Sequence, residues 1–533
     1  MLLGAAAAAG VLATLPAAAA GENLPAYVRA RAADADGAVD VAARNYALAL
    51  AAQPGSEVVA IRAYREGLAS GDLTLARQSA AVLDRAGVAP PDAALFAFAD
   101  AVAGKRRDRA QAALQELADG PLDFLRPVLE AWLAFDARDR DAALQLGTLG
   151  GDALDRRYAA ENHALILLAS GRTAEGLAAV QAQLGSVRED PQLRWSAASL
   201  LAGRGRRDAA QALLAGDDPV LAPYRERLGR GAKGGARFGV ARFFVRVASD
   251  LIADDTEPLA ITLTRAALIL DPDYARAYLP LADALSREGA DGEARRALAA
   301  VPADSPFARE ARSAEVAVLA RADQDEAAVT AAQALSAAPG GSAADARQLG
   351  DLLTESSRFD DAAAAYALAR QREGEAADWT LVLQHGAALE QAGRWDAALP
   401  ILREAVRLAP EQPLALNYLG YAQVERGENL GPAVAMLEQA HRLAPQDPNI
   451  ADSLGWGYFR QGAFARALPL LEEAAQAEEA SGTVQEHLGD LLWRIGRRYE
   501  ARYAWSAATL DADDAMQVRL SDKLARGLTG TAQ

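Results

Sequence analysis

Gly455, Gly462, Ala467, Leu471 and Ala474 stand at offsets 0, 7, 12, 16 and 19 within the stretch GWGYFRQGAFARALPLLEEA. The same offsets counted from Gly489 give Gly496, Ala501, Trp505 and Ala508. From Gly386 they give Gly393, Ala398, Leu402 and Ala405, followed by Pro410. From Gly420 they give Gly427, after which a one-residue insertion in the turn NLG shifts the ladder to Ala433, Leu437, Ala440 and Pro445. This recurrence limits the fold more than any other feature of the chain. A unit that short cannot bury its apolar face alone, so successive units must stack on one another.

The ladder runs upstream through Gly350, Val316, Ala282 and Ala248. Spacings from Ala248 to Gly489 are 34, 34, 34, 36, 34, 35 and 34 residues. A weaker ladder starts at Ala30 and passes Tyr64, Ala97, Ala131, Ala164 and Ala198, with spacings of 34, 33, 34, 33 and 34. Together these anchors define 14 units.

Each unit reads as two antiparallel helices. The glycine at offset 7 can take a positive φ where the first helix stops. Small residues at offsets 0 and 12 let the two helices close on each other. Larger residues at offset 16, such as Leu471 and Trp505, are expected to pack outward onto the next unit. LAPEQP, LAPQDP and LDPDY end second helices, because proline cannot continue them. Hydrophobic residues make up 51% of the 533 residues but aromatics only 6%, so alanine and leucine carry the apolar surface. Both favour helix. The expected fold is all-α, a right-handed superhelical solenoid of about 14 stacked antiparallel helix pairs.

The segments LNYLGYA (416 to 422), DSLGWGYFR (452 to 460) and EHLGDLLWRIGRRYEARYAW (486 to 505) resemble tetratricopeptide repeats. The resemblance is close over roughly 240 to 510 and looser over roughly 24 to 216. The last repeats are similar to those of bacterial envelope proteins, among them lipoprotein adaptors of carboxy-terminal processing proteases. The chain departs from that group because it has no cysteine to carry a lipid.

Residues 1–20 have an apolar core and the small-residue stretch Ala18-Ala19-Ala20, as in a signal peptide, although the usual basic start is missing. A low-complexity alanine leader is the other reading. Residues 24–216 form the degenerate array and 240–510 the regular one. Between them, 217–239 reads as an inserted loop and short helix joining the two. Residues 511–528 should cap the last unit, and 529–533 should fray.

The formal charge of -17 argues against a general nucleic-acid binder, whose affinity depends on phosphate neutralisation. Absence of cysteine rules out thiolate metal sites and a cysteine nucleophile. The histidines, His163, His385, His441 and His487, are scattered, and no H-E-x-x-H, G-x-S-x-G or phosphate-loop pattern occurs. RGAKGGARFG (230 to 239) is glycine-rich but lacks the P-loop arrangement. No catalytic residue, metal or cofactor is expected.

Binding is expected on the first helices, which line the inner face of such a stack. The candidate positions are Asn417, Tyr421, Val424 and Glu425; then Asp452, Trp456, Phe459 and Arg460; then Glu486, Asp490, Trp493 and Arg494. Arg347, Asp351 and Glu355, with Asp283 and Arg287, are weaker candidates. Aromatics and arginine serve well as binding anchors. Arg460 and Arg494 suit a carboxylate. The competing readings are inter-unit packing for Trp456 and Trp493, and helix-start caps for Asn417 and Asp452. The sequence therefore points to a non-catalytic scaffold or adaptor in the envelope or periplasm, with a protein or peptide partner such as an envelope protease. An accessory subunit in polysaccharide or outer-membrane assembly is the alternative.

Overall fold

A computed structural model describes residues 24–118, 120–184, 191–216, 221–251, 256–477 and 481–528. The expected leader and the five-residue tail lie outside them. Thirty α-helices and no strands occur among the described residues. Twenty-eight of these helices form fourteen antiparallel pairs. The other two are the short Ala222–Glu226 and the terminal Asp514–Arg526.

The offsets have direct physical causes. A Cβ on Gly455 would meet Leu471 at 2.7 Å, and one on Gly489 would meet the Trp505 ring at 2.4 Å. The residue at offset 16 therefore presses on its own unit's anchor. This corrects the expectation that Leu471 and Trp505 face the next unit. The small anchor is required because a large side chain from the second helix lies across it. At offset 7, Gly462 and Gly496 have φ of 76° and 90°. Where the sequence has no glycine there, Arg138, Asp323 and Ser357 take the same left-handed conformation. The turn geometry thus outlasts the residue that best tolerates it.

The described residues fall into two compact units, Met1–Ala331 and Ala332–Gln533. In the first, one apolar cluster runs from Ala26 to Val318. The pair Ala236–Asp250 and Glu257–Leu270 lies against Glu57–Ser70, Ala93–Ala103, Arg126–Asp136 and Ala153–Ser170, the first helices of earlier pairs. Thr262 donates a 2.7 Å hydrogen bond to Asp92, which also holds Arg65 at 2.8 Å. Arg265 donates to the carbonyls of Leu68 and Ala69, at 2.7 Å each. Those are end-of-helix acceptors that otherwise lack a partner. Gly239 sits on Trp132 so closely that a Cβ would fall 1.9 Å from the indole. This face of the first unit is therefore filled by the chain itself.

The glycine-rich stretch is part of this packing. Ala232 donates to the Ser199 carbonyl at 2.8 Å. Asp136 accepts from the Ala236 N–H at 3.0 Å, at the start of the following helix. Arg237 donates to the Leu270 carbonyl at 2.7 Å.

In the second unit, five pairs precede the terminal helix. The first helices Pro413–Arg426, Pro448–Arg460 and Gly482–Arg494 touch one another in succession and share one face. The terminal helix packs Met516 and Leu520 against Trp505 and Ala504, which closes the apolar end of the last pair.

Candidate functional site

The shared face of these three helices holds every candidate site residue. Asn417 and Asp452 are not helix-start caps: they lie inside Pro413–Arg426 and Pro448–Arg460, whose cap positions are Gln412 and Asp447. Both point toward neighbouring helices instead. The Asn417 side-chain oxygen is buried with no hydrogen-bond partner.

The centre of the face is a column of rings. Phe459 stacks on Trp456 at 4.7 Å between centroids, and Trp456 stacks on His487 at 4.0 Å, with interplanar angles of 12° and 11°. Tyr421 approaches the imidazole at 6.3 Å. The Trp456 indole N–H donates to the Glu425 carboxylate, which fixes the ring's orientation. Arg460 donates to the Glu425 carbonyl at 3.2 Å. Trp456, Phe459, Asp452 and His487 are buried, Tyr421 and Arg460 half-buried, and Glu425 exposed.

His487 Nδ1 lies 2.9 Å from a carboxylate oxygen of Asp452. Burial disfavours the imidazolium, but the Asp452 carboxylate outweighs it and raises the histidine above its ordinary range. Stacking on an indole also favours the cation. Burial raises the Tyr421 phenol too, helped by the carboxylates of Glu425 and Asp452.

Glu486 and Asp490 belong to a separate cluster. Lys523, from the terminal helix, lies 2.7 Å from both carboxylates. Arg519 adds a 3.3 Å contact to Glu486, and Trp505 donates to Asp490 at 2.9 Å. Burial works against ionisation of Glu486, yet Lys523 and Arg519 prevail and lower it. In Asp490 burial prevails over Lys523 and raises it. Trp493 packs 5.4 Å from Trp505, and a Cβ on Gly527 would strike its ring. Arg494 keeps a buried Nε without a hydrogen-bond partner.

The structure thus separates the candidates into two sets. Asn417, Tyr421, Glu425, Asp452, Trp456, Phe459 and Arg460 meet around one aromatic column. Glu486, Asp490 and Trp493 meet the terminal helix instead. The sequence reading placed His487 among repeat fillers and missed its pairing with Asp452. The weaker candidates make local contacts: Asp351 accepts from Tyr366 at 2.7 Å, and Arg287 pairs with Glu257 at 2.6 Å.

Among the described residues no group of three or more His, Cys, Asp or Glu side chains is placed to hold a metal ion. No described helix is long and apolar enough to cross a membrane.

No protein-family model and no curated protein matches the chain. Several solved helical-repeat structures do. A thermophilic tetratricopeptide repeat protein of Thermus thermophilus is 21% identical, covering 34% of this chain and 100% of that one, with a TM-score of 0.31. One from Parabacteroides merdae is 13% identical over 47% of this chain and 97% of that one, with a TM-score of 0.40. The Cut9–Hcn1 hetero-tetramer of the APC/C gives 14% identity over 96% and 97%, with a TM-score of 0.38. These overlaps are loose, and the tetratricopeptide-like fold rests on the helix pairing described above.

Proposed function

We propose that the chain is a non-catalytic interaction scaffold that binds a partner polypeptide on the face built around Trp456. The supporting observation is the ring column Phe459–Trp456–His487, with Tyr421, Glu425 and Arg460 at its edge. None of these residues is required by the repeat offsets. The column is rigid, because stacking, the Glu425 hydrogen bond and the Asp452 pair all fix it, so a partner meets a preordered surface. Half-buried Tyr421 supplies a phenol, while Glu425 and Arg460 supply opposite charges for a polypeptide backbone or side chains.

The leader-like segment and the resemblance to envelope adaptors support an exported location and a partner in the envelope, such as a processing protease. Cell fractionation tests this part separately: residues 1–20 retained on protein found only in the cytosol would rule it out. The binding reading is tested by selecting a displayed random-peptide library on the wild-type chain and on the Tyr421→Ala, Arg460→Ala, Arg494→Ala triple variant. Peptides retained by the wild type and lost by the folded variant are the expected result. Enrichment that ignores these substitutions would remove the site.

A further inference from the structure

Tyr499 and Tyr503 are 81% and 72% exposed on Arg498–Ala508, the second helix of the last repeat pair. Their rings lie 6.1 Å apart. The repeat does not account for them. Offsets 10 and 14, which they occupy, hold Asp396 and Pro400, then Gly431 and Ala435 in the displaced unit, then Ala465 and Pro469. All six are small or polar, and all are exposed.

Offsets 9 and 13 change in the opposite sense. Earlier units place Trp395 and Leu399, Leu430 and Val434, and Phe464 and Leu468 there, each partly or fully buried. The last unit has Arg498 and Arg502 instead, both exposed. Their guanidinium carbons lie 5.2 and 5.1 Å from the Trp493 ring centroid. Neither has a carboxylate partner among the described residues, whereas adjacent Arg497 is held by Glu472 and Glu500. Arg502 donates to the Leu524 carbonyl, at 3.3 Å. The outer face of this helix thus carries cations in its apolar row and aromatics in its small-residue row.

We propose that Arg498, Tyr499, Arg502 and Tyr503 form a second docking surface, for an extended acidic segment of a partner polypeptide. Charge complementarity selects the occupant. Two guanidinium groups without a carboxylate are presented by a chain of formal charge -17, which repels an acidic segment elsewhere. Spacing agrees. Side chains four apart on a helix begin about 5–6 Å apart. Alternate residues of an extended strand, which share a face, are about 6.6 Å apart. An acidic-x-acidic segment therefore places one carboxylate on each arginine, and the tyrosine rings cover its backbone and aliphatic stems. Tyrosine and arginine are also the residues that most often concentrate binding energy. Attraction to anionic lipid usually needs a cluster of about four or more basic residues, and this face offers two arginines.

The test is fluorescence anisotropy of a labelled peptide of alternating glutamate and threonine with the full chain. The same peptide with glutamine for glutamate is the control. The expected result is saturable, salt-sensitive binding of the glutamate peptide alone. It weakens about tenfold or more in Arg498→Glu/Arg502→Glu and in Tyr499→Ser/Tyr503→Ser, as the loss of anchor residues predicts. It persists in the Tyr421, Arg460 and Arg494 triple variant, which separates it from the Trp456 site. Equal binding of the glutamine peptide, or no loss in either double variant, overturns the proposal. So does binding to phosphatidylserine vesicles without binding to the peptide. Self-association abolished by Tyr499→Ser/Tyr503→Ser, with no peptide binding, assigns the face to a second copy and also overturns it.

Discussion

Lys523 Nζ lies 2.7 Å from each carboxylate oxygen of Asp490, and the same ammonium reaches Glu486 at 2.7 Å. Lysine occurs only three times in the sequence, at 105, 233 and 523. One of the three therefore joins the terminal helix to the last repeat. The relevant side chains are 17%, 9% and 10% exposed for Lys523, Glu486 and Asp490. Removing the ammonium leaves two buried carboxylates facing each other. Lys523→Met should destabilise the C-terminal end by about 2–4 kcal/mol, toward the lower end of what breaking a buried pair costs because some water reaches this one. Adding Glu486→Gln and Asp490→Asn should recover much of that loss. Urea unfolding and amide exchange over 482–526 measure both effects. A single variant as stable as wild type would show the pair to be incidental.

The Asp452–His487 pair makes the aromatic column pH-dependent. Histidine's ordinary value is 6.5, and the folded value is raised above it. The native state therefore holds its proton more tightly than the unfolded chain does. The pair's stabilisation is complete below about pH 6.5 and is lost as pH rises through the higher folded value. Asp452→Asn removes the opposing carboxylate and leaves burial to lower the histidine. The His487 imidazole followed by NMR should titrate above 6.5 in the wild type and below it in the variant. An unchanged titration would show that Asp452 is not its partner in solution.

Much of this was legible in the sequence, and the missing parts have a common cause. Offsets 0, 7 and 12 follow from contacts within one helix pair, so a local ladder reveals them. Leu471 and Trp505 were visible as a position but not as a direction. Only the position of the second helix shows that offset 16 lies over the anchor. Thr262 with Asp92, or Arg265 with Leu68, joins residues in different pairs far apart along the chain, and no period connects them. His487 stands two residues before its anchor and Asp452 three before the previous one. Each looks like ordinary variation until the two first helices are placed side by side. Tyr421, Trp456, Phe459 and Arg460 emerged because subtracting the repeat leaves residues it does not need.

The filled face of the first unit gives a steric prediction. Gly239 faces the Trp132 ring, and a Cβ there would stand 1.9 to 2.3 Å from three of its atoms. The Trp132 indole cannot swing aside without losing its 3.0 Å hydrogen bond to Asn162. Gly239→Val should therefore destabilise the first unit by about 3 kcal/mol or more, at the severe end for overpacking. The reverse trim, Trp132→Ala with Gly239→Val, should recover part of this but leave a cavity. Differential scanning calorimetry reads the change as a lowered transition. A Gly239→Val chain that melts as the wild type does would show that this helix does not pack on the inner face.

Glu66 also makes the fold less stable as pH rises, but through burial of a lone carboxyl rather than through loss of an ion pair. One of its carboxylate oxygens is buried without a hydrogen-bond partner. Burial, then the nearby carboxylates of Asp34, Glu288 and Glu293, push it up to about 8 from an ordinary 4.5. Between those values the folded chain keeps the proton and the unfolded chain releases it. Stability must then fall as pH rises from about 4.5 to about 8, at up to about 1.4 kcal/mol per pH unit. Glu66→Gln stays neutral at every pH and escapes this loss. The variant should match the wild type near pH 4.5 and exceed it by a few kcal/mol at about pH 8, since each pH unit contributes. Urea midpoints of both proteins at the two pH values decide the matter: a gap that does not widen with pH would mean Glu66 ionises normally in the folded chain.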